Sequence, residues 1–359
     1  MNQNVRELIE KRIIPKKDYD IRELNSGTTD GQVYVISENK NPLYTLKQDH
    51  PNGIEIVERF FNTYAHIDLF PKVHYVDPEK KFFLYDYVEG HTHINRGLKS
   101  EWMNRLVNGL FNHYEKVAAS SAWGRIGGEP RQKWFDFNKK SLEYAHENIG
   151  DLLPYEDFVR MEGIVERLAM YESEEEKYYL HGDTGVHNFV FQHNNLVGVI
   201  DPSPMIGPVL YDFTYAFCSS PDDLSMETLL SSFSLLENVQ IPTSRLIEEV
   251  VFQLYTRIGI CKKVHPHDLE QYLNAWDYWK RKMQDGGIHT CDQENKPASG
   301  FLSKLSSPAR NALIYEGIDT LQELSTYTEK EILKLHGIGP ASLPTMRNSL
   351  EEEGLSFKE

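Results

Sequence analysis

The sequence predicts an α+β protein with a small strand-rich lobe, a larger helical lobe and a separate all-α unit at the C-terminal end. Three observations carry this. Between Ile21 and Val88, short β-branched and aromatic runs alternate with turn residues. From Ser100 onward, apolar residues recur at helical spacing. Residues 284–300 are polar, rich in Gly and Pro and without periodicity, and beyond them a stretch of about 60 residues has its own apolar pattern. The expected division is an N-terminal lobe over 1–90, a helical lobe over 91–283, a linker over 284–300 and a small domain over 301–359. A chain of 359 residues is long enough for two such units.

Composition narrows the class. The chain is 40% hydrophobic and 26% charged, which is globular rather than disordered. Its net charge of -16 argues against general nucleic-acid binding and is compatible with a cationic partner. No apolar run is long enough to span a membrane, and the N-terminal residues lack a secretory apolar core. The three cysteines support neither a disulfide framework nor a zinc site. A soluble, cytoplasmic protein with no membrane partner is expected.

In the first lobe, strands are predicted at Gln32–Ile36, Leu43–Leu46, Val73–Val76 and Phe82–Tyr85, with turns at Asn39–Pro42 and Asp77–Lys80. One helix interrupts them, with Ile54, Val57, Phe61 and Tyr64 on one face. In the second lobe, Met103, Leu106, Leu110, Tyr114 and Val117 form one stripe, and residues 222–238, 244–262 and 267–283 form others. A strand-rich patch, Tyr178–Ile200, lies between these helical blocks.

That patch carries the chemistry. It reads His181-Gly182-Asp183-Thr184-Gly185-Val186-His187-Asn188, then a predicted hairpin turning at His193-Asn194-Asn195, then Val199-Ile200-Asp201. Phosphoryl transfer needs a carboxylate beside the acceptor hydroxyl and oxygen ligands for magnesium on the nucleotide phosphates. Asp183 can serve the hydroxyl; Asn188 and Asp201 can supply the metal ligands.

The run resembles the catalytic loop of the aminoglycoside phosphotransferase family, a branch of the protein-kinase-like fold that includes choline and fructosamine kinases. The resemblance covers about residues 20–283. It implies a bilobal kinase-like fold, Asp183 as catalytic base or hydroxyl-orienting group, and Asn188 and Asp201 as Mg2+ ligands. It also implies structural support of the loop by His181 and Asp212, with ATP or GTP as phosphoryl donor. Such an enzyme needs a glycine-containing hairpin over the phosphates, and Asn25–Gly31 fits, with Ser26, Gly27 and Gly31 as contacts. It needs a strand lysine, Lys47, and a helical glutamate to hold it, Glu58, with Glu55 as competitor one turn earlier. Asp86, Tyr87 and Val88 match the interlobe hinge, whose backbone would bond a nucleotide base.

Asp201 is followed almost at once by Tyr211-Asp212-Phe213, leaving no room for a peptide-binding segment, so the acceptor is expected to be a small molecule. Candidate acceptor contacts are Tyr255, Tyr272, Trp276, Asp277 and Trp279. The charge of residues 1–299 suits an amine-bearing sugar or alcohol such as an aminoglycoside. The histidine pairs His91/His93 and His265/His267 lack a third ligand for a metal.

In the tail, Thr328-Glu329-Lys330-Glu331 is a capping box, and Gly337-Ile338-Gly339 followed by Pro340 makes a turn into another helix. This reads as a helix-hairpin-helix. Residues 305–357 resemble the C-terminal domain of the RNA polymerase α subunit. That domain contacts DNA through an Arg and basic residues where this chain has Pro308, Pro340 and Ala341. The tail holds six basic and nine acidic residues, so DNA binding is disfavoured and a protein-contact or purely structural role is expected at least as much. The function expected is a nucleotide- and Mg2+-dependent kinase for a small-molecule hydroxyl. The alternative is a catalytically silent nucleotide-binding scaffold whose tail docks on DNA or a transcription complex.

Overall fold

The structure, a computed structural model, describes residues 3–24, 31–285 and 301–358, apart from 306–308, 311, 314–315, 317, 319 and 336–337. Ser26 and Gly27 of the expected phosphate loop, most of the expected linker and Gly337 therefore lie outside the described residues.

The N-terminal lobe is a five-stranded antiparallel sheet in the order β1-β2-β3-β5-β4. Its strands are β1 (Asp20–Leu24), β2 (Gln32–Glu38), β3 (Asn41–Gln48), β4 (Val73–Val76) and β5 (Phe82–Asp86). Helix α1 (Gln3–Glu10) precedes it, and α2 (Pro51–Thr63) lies between β3 and β4. The sheet is covered on both faces, and the period-two alternation of β5 shows how. Phe82 and Leu84 pack with Val5 and Leu8 of α1, whereas Phe83 and Tyr85 join Ile54, Phe60 and Phe61 of α2. This double cover explains why Phe82–Tyr85 is an unbroken apolar run. Helix α1 has a short, strongly one-sided pattern that the sequence reading passed over.

The second lobe contains α3 (Lys99–Gly109), α4 (Trp134–Ile149), α5 (Tyr155–Ala169), α6 (Val209–Cys218), α7 (Met226–Phe233), α8 (Thr243–Val264) and α9 (Leu269–Asp285). The predicted stripe from Met103 to Val117 breaks at Leu110, beyond which the chain makes a 3-10 turn. The strand-rich patch resolves into two small sheets. A three-stranded one has the order β6-β10-β7, from Gly124–Arg125, Met205–Gly207 and Tyr178–Leu180. A hairpin pairs β8 (Phe189–Gln192) with β9 (Asn195–Val199). The four expected strands of the first lobe, its helix and the helical second lobe are all present. No helix among the described residues is long and apolar enough to cross a membrane.

The tail has its own core of Phe301, Leu302, Leu313, Leu324, Ile332, Met346 and Leu350 among others. Among its described residues are the helices α10 (Leu321–Leu324), α11 (Glu329–Ile332) and α12 (Leu343–Glu352). Both α10 and α11 start with a capping box, Thr320 with Glu323 and Thr328 with Glu331.

Candidate active site

The catalytic run lies between β7 and β8, with Asp183 ahead of a 3-10 turn that contains Asn188. His181 is fully buried. Its Nε2 faces the Ile200 carbonyl at 3.1 Å, and its Nδ1 accepts the Asp183 N–H at 3.3 Å. Those partners assign Nε2 as the protonated nitrogen. Burial pushes its pKa down to about 4, so the ring stays neutral. Phe70 stacks on it at 6.1 Å. Asp212 of α6 is also buried; its carboxylate accepts the Gly182 N–H at 3.1 Å and the Tyr114 hydroxyl at 2.5 Å. Its carbonyl takes the Thr184 hydroxyl at 2.7 Å. Burial outweighs these bonds and pushes the Asp212 carboxyl up to about 6. The loop is thus braced from both sides by His181 and Asp212.

Asp183 is partly exposed. Asn188 Nδ2 donates to its Oδ2 at 3.0 Å and to its carbonyl at 2.9 Å, and reaches the Asp201 carbonyl at 3.5 Å. One carboxamide therefore ties together the two ends of the β8-β9 hairpin, and its amide oxygen remains as an acceptor or metal ligand. Asp201 has a left-handed backbone, with φ 55°, and its carboxylate forms an ion pair with Lys47 Nζ of β3. Lys47, Asp183, Asn188 and Asp201 are thereby brought to one cleft between the lobes.

Sequence reasoning missed two residues at this centre. His187 Nε2 bonds Asp183 Oδ2 at 3.1 Å. Burial raises the Asp183 pKa, but the His187 bond and the charges of His187 and Arg125 outweigh it and hold the carboxyl well below the usual range. The ring must fold back over Gly185, where an added Cβ would lie 2.5 Å from His187 Cε1. Arg125 comes from the two-residue β6 and donates to both the carbonyl and the hydroxyl of Ser203 at 2.9 Å. The histidine stood inside the motif, so its spacing was a usable signal. The arginine lies in a segment without periodicity and offered none.

One expectation is corrected. Glu58 does not hold Lys47: its carboxylate pairs with Lys80 Nζ of the β4-β5 turn at 2.5 Å, while Lys47 pairs with Asp201. Glu55 is exposed and forms no ion pair among the described residues. The rotation of α2 is set by Ile54, Phe60 and Phe61, and it turns position 58 toward the rim of the sheet. In the hinge, the Asp86 and Tyr87 N–H groups bond the Lys72 and Leu43 carbonyls at 3.0 Å. The next two amides, Val88 and Glu89, make no backbone bond among the described residues. Gly31 precedes β2 with φ +107°. Tyr255, Tyr272, Trp276 and Trp279 are core residues with at most 1% exposure. Trp276 Nε1 donates to Asp157 at 2.9 Å and Trp279 Nε1 to the Leu224 carbonyl at 3.0 Å, so their polar ends are satisfied internally. Asp277 faces Lys280 at 3.3 Å. No cluster of three His, Cys, Asp or Glu capable of holding a metal occurs among the described residues.

The sequence matches no protein-family model and no curated protein. Solved structures do match. Choline kinase from Cryptosporidium parvum superposes with a TM-score of 0.54 at 13% identity, covering 79% of this chain and 96% of that one. A thermostable variant of aminoglycoside phosphotransferase APH(4)-Ia, solved with ADP and hygromycin B, gives 0.52 at 16% identity, covering 77% and 97%. Aminoglycoside 2'-phosphotransferase-IIIa, solved with GDP, gives 0.51 at 12% identity, covering 78% and 97%. At these identities the likeness is one of fold: the two lobes of this chain have the protein-kinase-like architecture seen in small-molecule kinases.

Proposed function

We propose that the chain transfers the γ-phosphoryl group of ATP or GTP to a hydroxyl of a small molecule. One observation carries the reading: Lys47 on the first lobe meets Asp201 across a sequence separation of 154 residues, and Asn188 joins Asp201 to Asp183. Catalysis of this transfer rests on positioning and charge stabilisation, which that arrangement suits.

Asn188 and Asp201 fit magnesium by donor chemistry, since they offer an amide oxygen and a carboxylate, both hard ligands. A bound Mg2+ would neutralise charge on the phosphate oxygens. Lys47 would steady the phosphates, with Gly31 at the head of β2 beside them, and the Val88 and Glu89 amides beside Asp86 and Tyr87 would take the base. Asp183, held anionic by His187, would orient the acceptor hydroxyl; its depressed pKa makes it a weak proton acceptor and favours orientation over early deprotonation. The stretch from Asp201 to α6 is only β10 and its flanks, which favours a small acceptor over a peptide.

The test is nucleoside diphosphate release by the full chain with Mg2+, ATP or GTP and a panel of hydroxyl acceptors. Asp183→Ala should reduce acceptor-dependent release by about 10³-fold or more while far-UV circular dichroism is unchanged. Full activity in that variant refutes the assignment.

A further inference from the structure

The segment that follows Asp201 has little backbone of its own to hold it. It reads Pro202-Ser203-Pro204, so two of its three residues lack an N–H. The third, Ser203, donates its N–H to the His181 carbonyl at 2.9 Å. Asp201 itself has φ 55°, a left-handed conformation that a residue with a side chain keeps where its surroundings fix it. Donors from outside the hairpin are therefore needed along this stretch.

The short strand β6 supplies them. Arg125 Nη1 donates to both oxygens of Ser203 at 2.9 Å, and the Ile126 N–H donates to the Pro204 carbonyl at 3.0 Å. The strand is itself pinned. Trp123 and Arg131 exchange two backbone bonds that close the turn between them, and Gly127 in that turn lies against α2, where an added Cβ would stand 2.9 Å from Ile56 Cδ1. On the catalytic loop, Gly182 has φ +79°, and a Cβ there would overlap the Ser203 carbonyl and lie 3.0 Å from Arg125 Nη1. The guanidinium thus fills the space that a side chain at position 182 would take. Asp183 and Asp212 lie near enough to feel its charge. Its one hydrogen-bond partner among the described residues is nevertheless Ser203.

Resting on the phosphotransferase reading, we propose that Arg125 is a positioning residue for the metal site: it clasps Ser203 onto the catalytic loop and so fixes the Asp201 carboxylate relative to the Asn188 amide oxygen. Ser203 is suited to the task because it touches both partners, its N–H on the loop and its two oxygens on Arg125. The stretch that carries Asp201 is then held at both ends, by Asn188 Nδ2 at the Asp201 carbonyl and by Arg125 two residues later. Partners that orient a metal ligand from behind set its affinity for the ion almost as strongly as the ligand itself. Since a single nitrogen of Arg125 makes both bonds, a lysine ammonium with three donors can take them over, whereas an apolar side chain cannot.

The experiment uses the full chain, with Mn2+ as a paramagnetic stand-in for Mg2+. Electron paramagnetic resonance reads Mn2+ affinity in the presence of AMP-PNP, calorimetry reads AMP-PNP affinity without divalent metal, and mass spectrometry reads amide exchange at Ser203 in the ligand-free chain. Arg125→Met should weaken Mn2+ binding by about 10–100-fold, leave metal-free AMP-PNP affinity within about threefold, and speed exchange at Ser203 by about tenfold or more. Arg125→Lys should restore Mn2+ affinity to within about threefold of wild type. Ser203→Ala removes one of the two bonds; it should cost about threefold alone and less than about twofold in the Arg125→Met background. Unchanged Mn2+ affinity in Arg125→Met, an equal fall in metal-free AMP-PNP affinity, no rescue by lysine, or additive losses in the double variant overturns the inference. Should Arg125→Met not fold, the other two variants decide: the alanine must weaken Mn2+ binding and the lysine must not. A wild-type chain that binds neither AMP-PNP nor Mn2+ overturns the phosphotransferase reading and the metal role with it, and exchange at Ser203 then decides whether Arg125 holds the segment at all.

Discussion

Lys47 and Asp201 neutralise each other across the interlobe cleft, one from the third strand of the first lobe and one from the end of the β8-β9 hairpin. Each is the other's ion-pair partner among the described residues. A nucleotide with its metal would have to replace that pair with two new ones, phosphate on Lys47 and cation on Asp201. Lys47→Met should therefore cut kcat/KM for the nucleotide by roughly 10²–10³. Steady-state diphosphate release measures it, and a loss under threefold would remove Lys47 from the phosphate site.

Glu58 makes the opposite prediction. Its pair with Lys80 is partly exposed and contributes at most about 1 kcal/mol. Glu58→Gln should lower the melting temperature by only a few degrees and leave kcat/KM within about threefold. A loss comparable to that of Lys47→Met would mean that Glu58 swings to Lys47 in the working enzyme.

His187 and Gly185 form a coupled pair. His187→Ala removes the bond that holds Asp183 low, so the Asp183 pKa rises and the acid limb of the kcat/KM pH profile moves to higher pH. Gly185→Ala should reproduce this by displacing the ring. In the His187→Ala background, however, Gly185→Ala should cost less than about twofold. Additive losses in the double variant would show that Gly185 acts through something other than the histidine.

The two braces under the loop titrate with opposite signs. His181 falls from 6.5 to about 4, so below pH 6.5 the unfolded chain binds a proton that the folded chain refuses, and stability is lost as pH falls toward 4. Asp212 rises from 3.8 to about 6, with Arg125 and Asp183 facing it, so between pH 6 and 3.8 the folded chain binds the extra proton and gains stability. Each effect reaches about 3 kcal/mol over its window. Calorimetry at pH 7.5 and 4.5 should find Asp212→Asn more acid-sensitive than wild type and His181→Gln less so. Equal acid sensitivity in all three would contradict the opposed titrations.

Legibility followed sequence distance. Asp183 and Asn188 lie five residues apart, and one hairpin brings Asp201 back to them, so their proximity could be read from the chain. The strands of the first lobe were legible because turn residues bracket them. The partner of Lys47 was not, since which acid of α2 faces inward depends on how Ile54, Phe60 and Phe61 seat the helix. Arg125 reaches the loop only because the two residues of β6 pair with β10, a contact that no local pattern announces. The tryptophans of α9 resembled a binding wall until Asp157 and Leu224 were seen to occupy their N–H groups.

The hinge has a mechanical consequence. His91 and Phe191 exchange two backbone bonds, at 2.9 and 2.8 Å, and Gly90 passes so near that a Cβ there would lie 2.5 Å from the Phe191 carbonyl. The connector between the lobes is thus stapled to the hairpin whose two ends are Asn188 and Asp201. Any swing of the first lobe must pivot at or above that staple. The spacing of the two oxygen ligands then stays constant through the swing, while the reach of Lys47 is what changes: the cleft behaves as a fixed jaw with one moving tooth.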